Sequence, residues 1–219
     1  MHVEVRAMRL CVSELEKETR QTRGDMADTI IRAARDLADA VPPALLHLAA
    51  EYARVQEAEG EARTEHGERS LAQAAVLAEN TLPGVLYAAH AYASQLDLVH
   101  LARQRAQEGG LAPELLRQLE ESGMRLEDLL PRELAGTVPD PVEQSRRLAD
   151  DVDIETLWLA YRRSCHALAE RIALEQYGEV GYKEAEALAG TTPLEALELA
   201  HLKAQLRKAE EEHPPEASE

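Results

Sequence analysis

Glu198 and His201 stand three residues apart, and so do Asp97 and His100. On a helix this spacing puts a carboxylate and an imidazole on one face. Two such pairs, joined by further carboxylates at Glu51 and at Glu155 or Glu170, form a ligand set suited to a pair of iron or manganese ions. One point counts against it. If the helices around Glu51 and Asp97 form an antiparallel pair, both residues lie near the C-terminal ends of their helices, and so at opposite ends of the pair.

The other reactive side chains read more plainly. His90 lies beside an apolar stripe, as a hydrogen-bonded core histidine would. His47 stands four residues before Glu51, and His166 stands between Arg162 and Glu170 at four-residue steps, so both read as charged surface rows. Cys165 falls on an apolar stripe, and its neighbour His166 points roughly 100° away around a helix, a poor arrangement for a nucleophile and its base. The chain has neither a Gly-rich phosphate loop nor a Gly-x-Ser-x-Gly turn. It carries no enzyme signature.

The elements that must position these residues are helices. Ser13 and Glu16 form a capping box, and Asp25 can cap a helix carrying Ile30, Ile31, Ala34, Leu37 and Ala38. Pro42-Pro43 and Pro83-Gly84 punctuate the helices that follow. Asp140, Pro141 and Glu143 give cap, first-turn proline and capping-box acid, and Thr192, Pro193 and Glu195 repeat that pattern. Between them, Ile154, Leu157, Trp158, Tyr161, Cys165, Leu168 and Ile172 make the cleanest amphipathic stripe, with Cys165 read as a small core residue and the Trp158–Tyr161 row suited to a core or an interface. Gly178 and Gly181 break it, and a turn is expected at Gly190. Only "HVEVRAM" at residues 2–8 alternates like a strand. No internal repeat of solenoid length and no sustained heptads are visible. The expected fold is all-α, a multi-helix bundle of antiparallel helices with at most one short N-terminal strand. "AGTVPDP" separates an N-terminal region, 1–134, from a C-terminal region, 141–212, and residues 213–219 read as a disordered tail.

Composition limits the partners. The chain has 219 residues and a net charge of −17, which repels nucleic acid and anionic lipid at long range. There is no Phe and one Trp, so core volume comes from Leu, Ala, Val and Ile. The longest uncharged run, Asn80 to Leu96, is too short and polar to span a bilayer. With two distant cysteines and no leader pattern, a reduced cytoplasmic setting is expected.

Two segments and one order of residues along the chain carry family resemblances. "ALEQYGEVGYKEAEALAG" at 173–190 resembles the helix-turn-helix of small predicted antitoxins. If it held, Thr191, Thr192 and Lys203 would face duplex DNA, with Arg162 and Arg163 as further contacts. "HVEVRAM" followed by "VSELEKETRQTRGDMADTIIRAARDLADA" resembles a ribbon-helix-helix, which would turn Glu4 and Arg6 toward the groove. The order acid, acid-x-x-His, acid, acid-x-x-His is similar to ferritin-like carboxylate proteins, which implies iron or manganese at Glu198, His201, Asp97 and His100. Against DNA contact, six acids face two lysines between Ala173 and Lys203, a balance that opposes phosphate binding. The expected function is a non-enzymatic regulatory or scaffold protein acting through helical protein–protein contacts. It is expected to be a homo-oligomer with a protein partner, with DNA association and a ferritin-like metalloprotein as alternatives and no membrane partner.

Overall fold

A computed structural model describes residues 2–108, 110, 112–121, 123, 125–131 and 139–212. The chain is all-α, with no strand among the described residues. Its helices are α1 (His2–Arg23), α2 (Ala27–Ala40), α3 (Pro43–His66), α4 (Glu68–Asn80), α5 (Pro83–Gln107), α6 (Pro113–Glu121), α7 (Leu126–Leu129), α8 (Pro141–Asp151), α9 (Ile154–Thr191) and α10 (Leu194–Glu212). A 3-10 turn, Gly24–Met26, joins α1 to α2. None of the helices is long and apolar enough to cross a membrane, among the described residues.

The helices fall into a tandem repeat that the sequence reading did not detect. α3 starts at residue 43 and α9 at 154, α4 follows Gly67 and the second part of α9 follows Gly178, and α5 starts at 83 and α10 at 194, each pair shifted by 111 residues. The joints match in dihedral angles. Gly67 has φ 74°, ψ −167°, and Gly178 has φ 64°, ψ −166°, a region closed to side chains with a Cβ. Leu37, Ala38, Val41, Leu46, Leu48 and Ala49 recur as Leu148, Ala149, Val152, Leu157, Leu159 and Ala160; Leu77, Ala78, Thr81, Leu86 and His90 recur as Leu188, Ala189, Thr192, Leu197 and His201.

Each repeat holds two helical hairpins, so four hairpins share one plan. The first helix ends at a β-branched residue: Val41, Thr81, Val152 or Thr192. The first three of these adopt ψ of 134–135°, the extended conformation that branching favours and that a following proline enforces at Val41. The next residue, Pro42, Leu82, Asp153 or Pro193, then offers its carbonyl to the first turn of the second helix, as in Leu46 N to Pro42 O (3.1 Å) and Leu157 N to Asp153 O (2.9 Å). One turn into that helix Leu46, Leu86, Leu157 and Leu197 are wholly buried, as are Ala49, Ala89, Ala160 and Ala200 three residues later. The alanines let helices approach closely, so that this core without Phe is built on small residues between leucines.

Two compact units result, residues 1–56 with 166–219 and residues 57–165. The first unit packs α2 on α10, with α1 against both; the second packs α8, α6 and α7 on α5. Each unit therefore takes one hairpin from each repeat. The sequence boundary at 135–141 separates the repeats, but it falls inside the second unit. Its residues 132–138, like the expected tail 213–219, lie outside the described residues.

Several local expectations are corrected. "HVEVRAM" is the start of α1, because Glu, Arg, Ala and Met favour helix and no strand partner is present among the described residues. The ribbon-helix-helix resemblance thus lacks its strand, and Ser13 lies inside α1 rather than capping a helix. Asp25 sits in the 3-10 turn and caps nothing by side chain. Gly190 remains helical, and the chain turns at Thr192-Pro193 instead. Leu168 and Ile172 are exposed, at 44% and 38%, because the small Ala169 and Ala173 take the buried face of α9. The Asp140 cap is as expected, its carboxylate accepting from Glu143 N at 3.1 Å.

Candidate functional site

The second helices of the paired hairpins carry the polar and aromatic groups at equivalent places in each unit. In the first unit these are α3 and α10, and the rings of His47 and His201 stack with centroids 4.9 Å apart and planes at 25°. In the second unit they are α5 and α9, where His90 meets Trp158 at 4.7 Å and Tyr87 meets Tyr161 at 5.5 Å. His201 and His90 are repeat equivalents, as are His47 and Trp158. The Arg162 guanidinium lies over the Trp158 ring, 3.8 Å from its centroid, a cation–π contact.

His201 is fixed by its backbone surroundings. Its Nδ1 lies 2.9 Å from the Pro43 carbonyl oxygen. A carbonyl only accepts, so Nδ1 carries the proton and Nε2 is the ring's acceptor. Burial, reinforced by the His47 ring and by Arg54, pushes the His201 pKa down to about 4. Burial also lowers that of His47, against the pull of Glu51. Both imidazoles are therefore neutral at pH 7.

Beside this pair, Arg54 bridges two carboxylates. Its Nε lies 2.8 Å from Glu198 Oε1, and Nη1 bonds to Glu51, which is only 3% exposed. The row His47–Glu51, expected on the surface, is thus largely interior. A cavity of about 470 Å³ opens against the two histidines, walled by Met8, Pro43, Ala44 and Tyr177, with Gln176, Gln205, Lys208 and Glu212 around it. No sequence signal announced this cavity, because it depends on α1, α3, α9 and α10 meeting.

The residues singled out for other chemistry are otherwise engaged. Of the metal set, Glu198 pairs with Arg54 in the first unit, and His201 bonds to Pro43. Asp97 and His100 are exposed on α5 in the second unit, with His100 Nε2 3.1 Å from the Gln104 amide nitrogen. Among the described residues, no group of three or more His, Cys, Asp or Glu side chains is placed to hold a metal ion. Of the DNA set, Lys203 Nζ bonds to Glu16 at 2.5 Å, and Thr191 Oγ1 donates to Ala187 O at 2.9 Å. Arg163 donates to Leu71 O at 2.9 Å and to Glu59 at 2.6 Å, and Arg162 covers Trp158. Thr192 is the hinge of the last hairpin, its N–H donating to Leu188 O at 2.9 Å. Glu195, expected to cap α10, pairs with Arg23. Arg146 and Arg147 both rest on Glu143, 3.0 Å each.

Comparison with protein-family models, curated proteins and solved structures finds no match for this chain.

Proposed function

We propose that this chain is a non-enzymatic regulatory scaffold that works through helical protein–protein contacts, and that its first partner is a second copy of itself. The carrying observation is a comparison within the chain. Along α9, Leu168, Ile172, Leu174, Tyr177 and Val180 are all exposed, Val180 at 80%. Their equivalents in the first repeat are Glu57, Glu61, Arg63, His66 and Arg69. The same scaffold positions are thus charged in one repeat and apolar in the other. Leu168 and Ile172 lie one turn apart on one flank of the exposed face of α9 and Leu174 lies on its other flank; solvent-facing apolar residues of this kind have no role in the fold's own core and point to a surface that a partner covers.

Self-association is favoured by the charges between them. Arg171 and Glu175 are four residues apart on the same exposed side of α9. An antiparallel pair of α9 helices brings Arg171 of each molecule to Glu175 of the other, the self-complementarity that a two-fold contact needs. Duplex DNA is less well supported as a partner, since Lys203, Arg162 and Arg163 are engaged within the fold.

Sedimentation velocity from low to high micromolar concentration tests this. The native chain should dimerise, and Leu168→Glu with Ile172→Glu, which installs the first repeat's residues, should leave a helical monomer. A native chain that stays monomeric throughout would overturn the reading.

A further inference from the structure

We propose that the cavity at the α3–α10 crossing is a binding site for a small, neutral, planar aromatic molecule that carries an N–H or O–H donor, of about indole or phenol size. Three observations lead there. The first is that the two repeats treat this place differently. In the second unit the equivalent position of His47 holds the larger Trp158 ring, and the equivalents of Ala44 and Tyr177 are Glu155 and His66, which bond to each other at 2.8 Å. The first unit has the smaller His47 and Ala44 there, and about 470 Å³ lies open. The cavity therefore lies where the second unit carries a larger ring and an ion pair.

The second observation is the polarity of the wall. Met8, Pro43, Ala44 and the Tyr177 ring give an apolar lining, and stacked imidazoles give a flat one. The His201 proton is committed to Pro43 O. The nitrogen left to the ring is an acceptor, and it reads a donor on the ligand. This selects indole or phenol over a plain hydrocarbon.

The third concerns charge. Lys208 is the cation beside the cavity, and it stands 4.0 Å from Glu212. In a chain of net charge −17, a carboxylate ligand gains little there. The histidine itself is common to both repeats, as His90 and His201, whereas the residues that open the cavity are not.

Titration calorimetry of the full chain with indole, phenol, toluene, benzoate and zinc ion tests the proposal. Indole and phenol should bind once per chain. Toluene should bind about tenfold more weakly, the value of one neutral hydrogen bond. His201→Phe should remove that difference. Ala44→Glu, which installs the residue that the second unit already carries at this place, should abolish indole binding while leaving the fold intact. Indole binding to the native protein should also fall away as the pH approaches 4. Toluene binding as tightly as indole, benzoate or zinc binding more tightly, indole binding undisturbed by Ala44→Glu, or no binding of indole or phenol at millimolar concentration would each overturn it.

Discussion

Leu45 of α3 lies against the backbone of Gly181, where an added Cβ would stand 3.1 Å from Leu45 Cδ2 and 2.5 Å from Tyr177 Cβ. In the second unit the equivalent pair is Thr156 and Ser70, whose hydroxyls share a hydrogen bond of 2.5 Å. One unit thus pairs large with none, the other pairs two small polar side chains, and either fills the same gap between helices. Gly181→Ser alone should destabilise by about 1–3 kcal/mol through overpacking. Leu45→Thr alone should also destabilise, by leaving a void and a buried hydroxyl. Made together they should cost less than the sum of the two, since the second unit already accommodates that pair. Urea unfolding of the four proteins measures the coupling, and strict additivity would show that the cost at Gly181 arises against Tyr177 and not against Leu45.

The glycines separate a true joint from an apparent one. Gly178 has φ 64° with extended ψ, so Gly178→Ala should destabilise by about 1–3 kcal/mol. Gly190 is helical, and a Cβ there meets nothing within 4 Å. Gly190→Ala should therefore stabilise by about 0.5–1 kcal/mol, because alanine loses less backbone freedom. A turn at Gly190 would give the opposite sign, so thermal unfolding of this one variant locates the turn.

How much of this was legible in the sequence follows the range of the interactions. The Asp140–Pro141–Glu143 start depends on residues within one turn, and it is present. Gly190 misled because glycine is permitted at a turn but not confined to one, whereas Thr192 before Pro193 excludes helix on steric grounds. The repeat stayed hidden because its identical positions are mainly Leu and Ala, the residues least distinctive in this chain. Of the α9 stripe, Leu157 is wholly buried and Ile154 packs on the core, whereas Leu168 and Ile172 lie outside because Ala169 and Ala173 take the buried face. Of the site, His201 was visible by its spacing from Glu198, but its stacking on His47 joins residues 154 positions apart, which no local pattern encodes.

Acid should destabilise the fold through its buried histidines. Desolvation lowers the pKa of His201, to about 4, and of His47, His90 and His166 below 6.5. The unfolded chain then binds more protons than the folded one between about pH 6.5 and 4, so stability rises with pH across that window and is lost as the pH falls through it. Each unit of separation contributes about 1.4 kcal/mol. His66, raised chiefly by its bond to Glu155, works in the opposite sense and offsets part of the loss. Urea unfolding at pH 7, 6, 5 and 4 should show falling stability, and His201→Gln should flatten the slope. A stability independent of pH in this range would mean that these rings are solvated.

Arg54 should be the most costly charged residue to remove. It lies between Glu198, at 2.8 Å from Nε, and Glu51, whose side chain is almost fully buried. Truncation to Ala leaves the Glu51 carboxylate in the interior without its guanidinium, and breaking such a pair typically costs about 3–5 kcal/mol. The two carboxylates differ in exposure, so they should respond differently. Glu198 is only partly buried, and Glu198→Gln should cost about 1 kcal/mol or less, the loss of one charge-assisted bond near solvent. Glu51→Gln removes the buried charge but keeps a hydrogen-bonding group. In the Arg54→Ala background it should restore a large part of the lost stability, because the penalty being relieved is an unpaired charge. The second repeat has Arg162 and Cys165 at the equivalents of Glu51 and Arg54. Denaturant midpoints for the single and double variants decide the matter. If Glu51→Gln fails to rescue Arg54→Ala, the cost lies in lost packing of the arginine stem and not in the buried carboxylate.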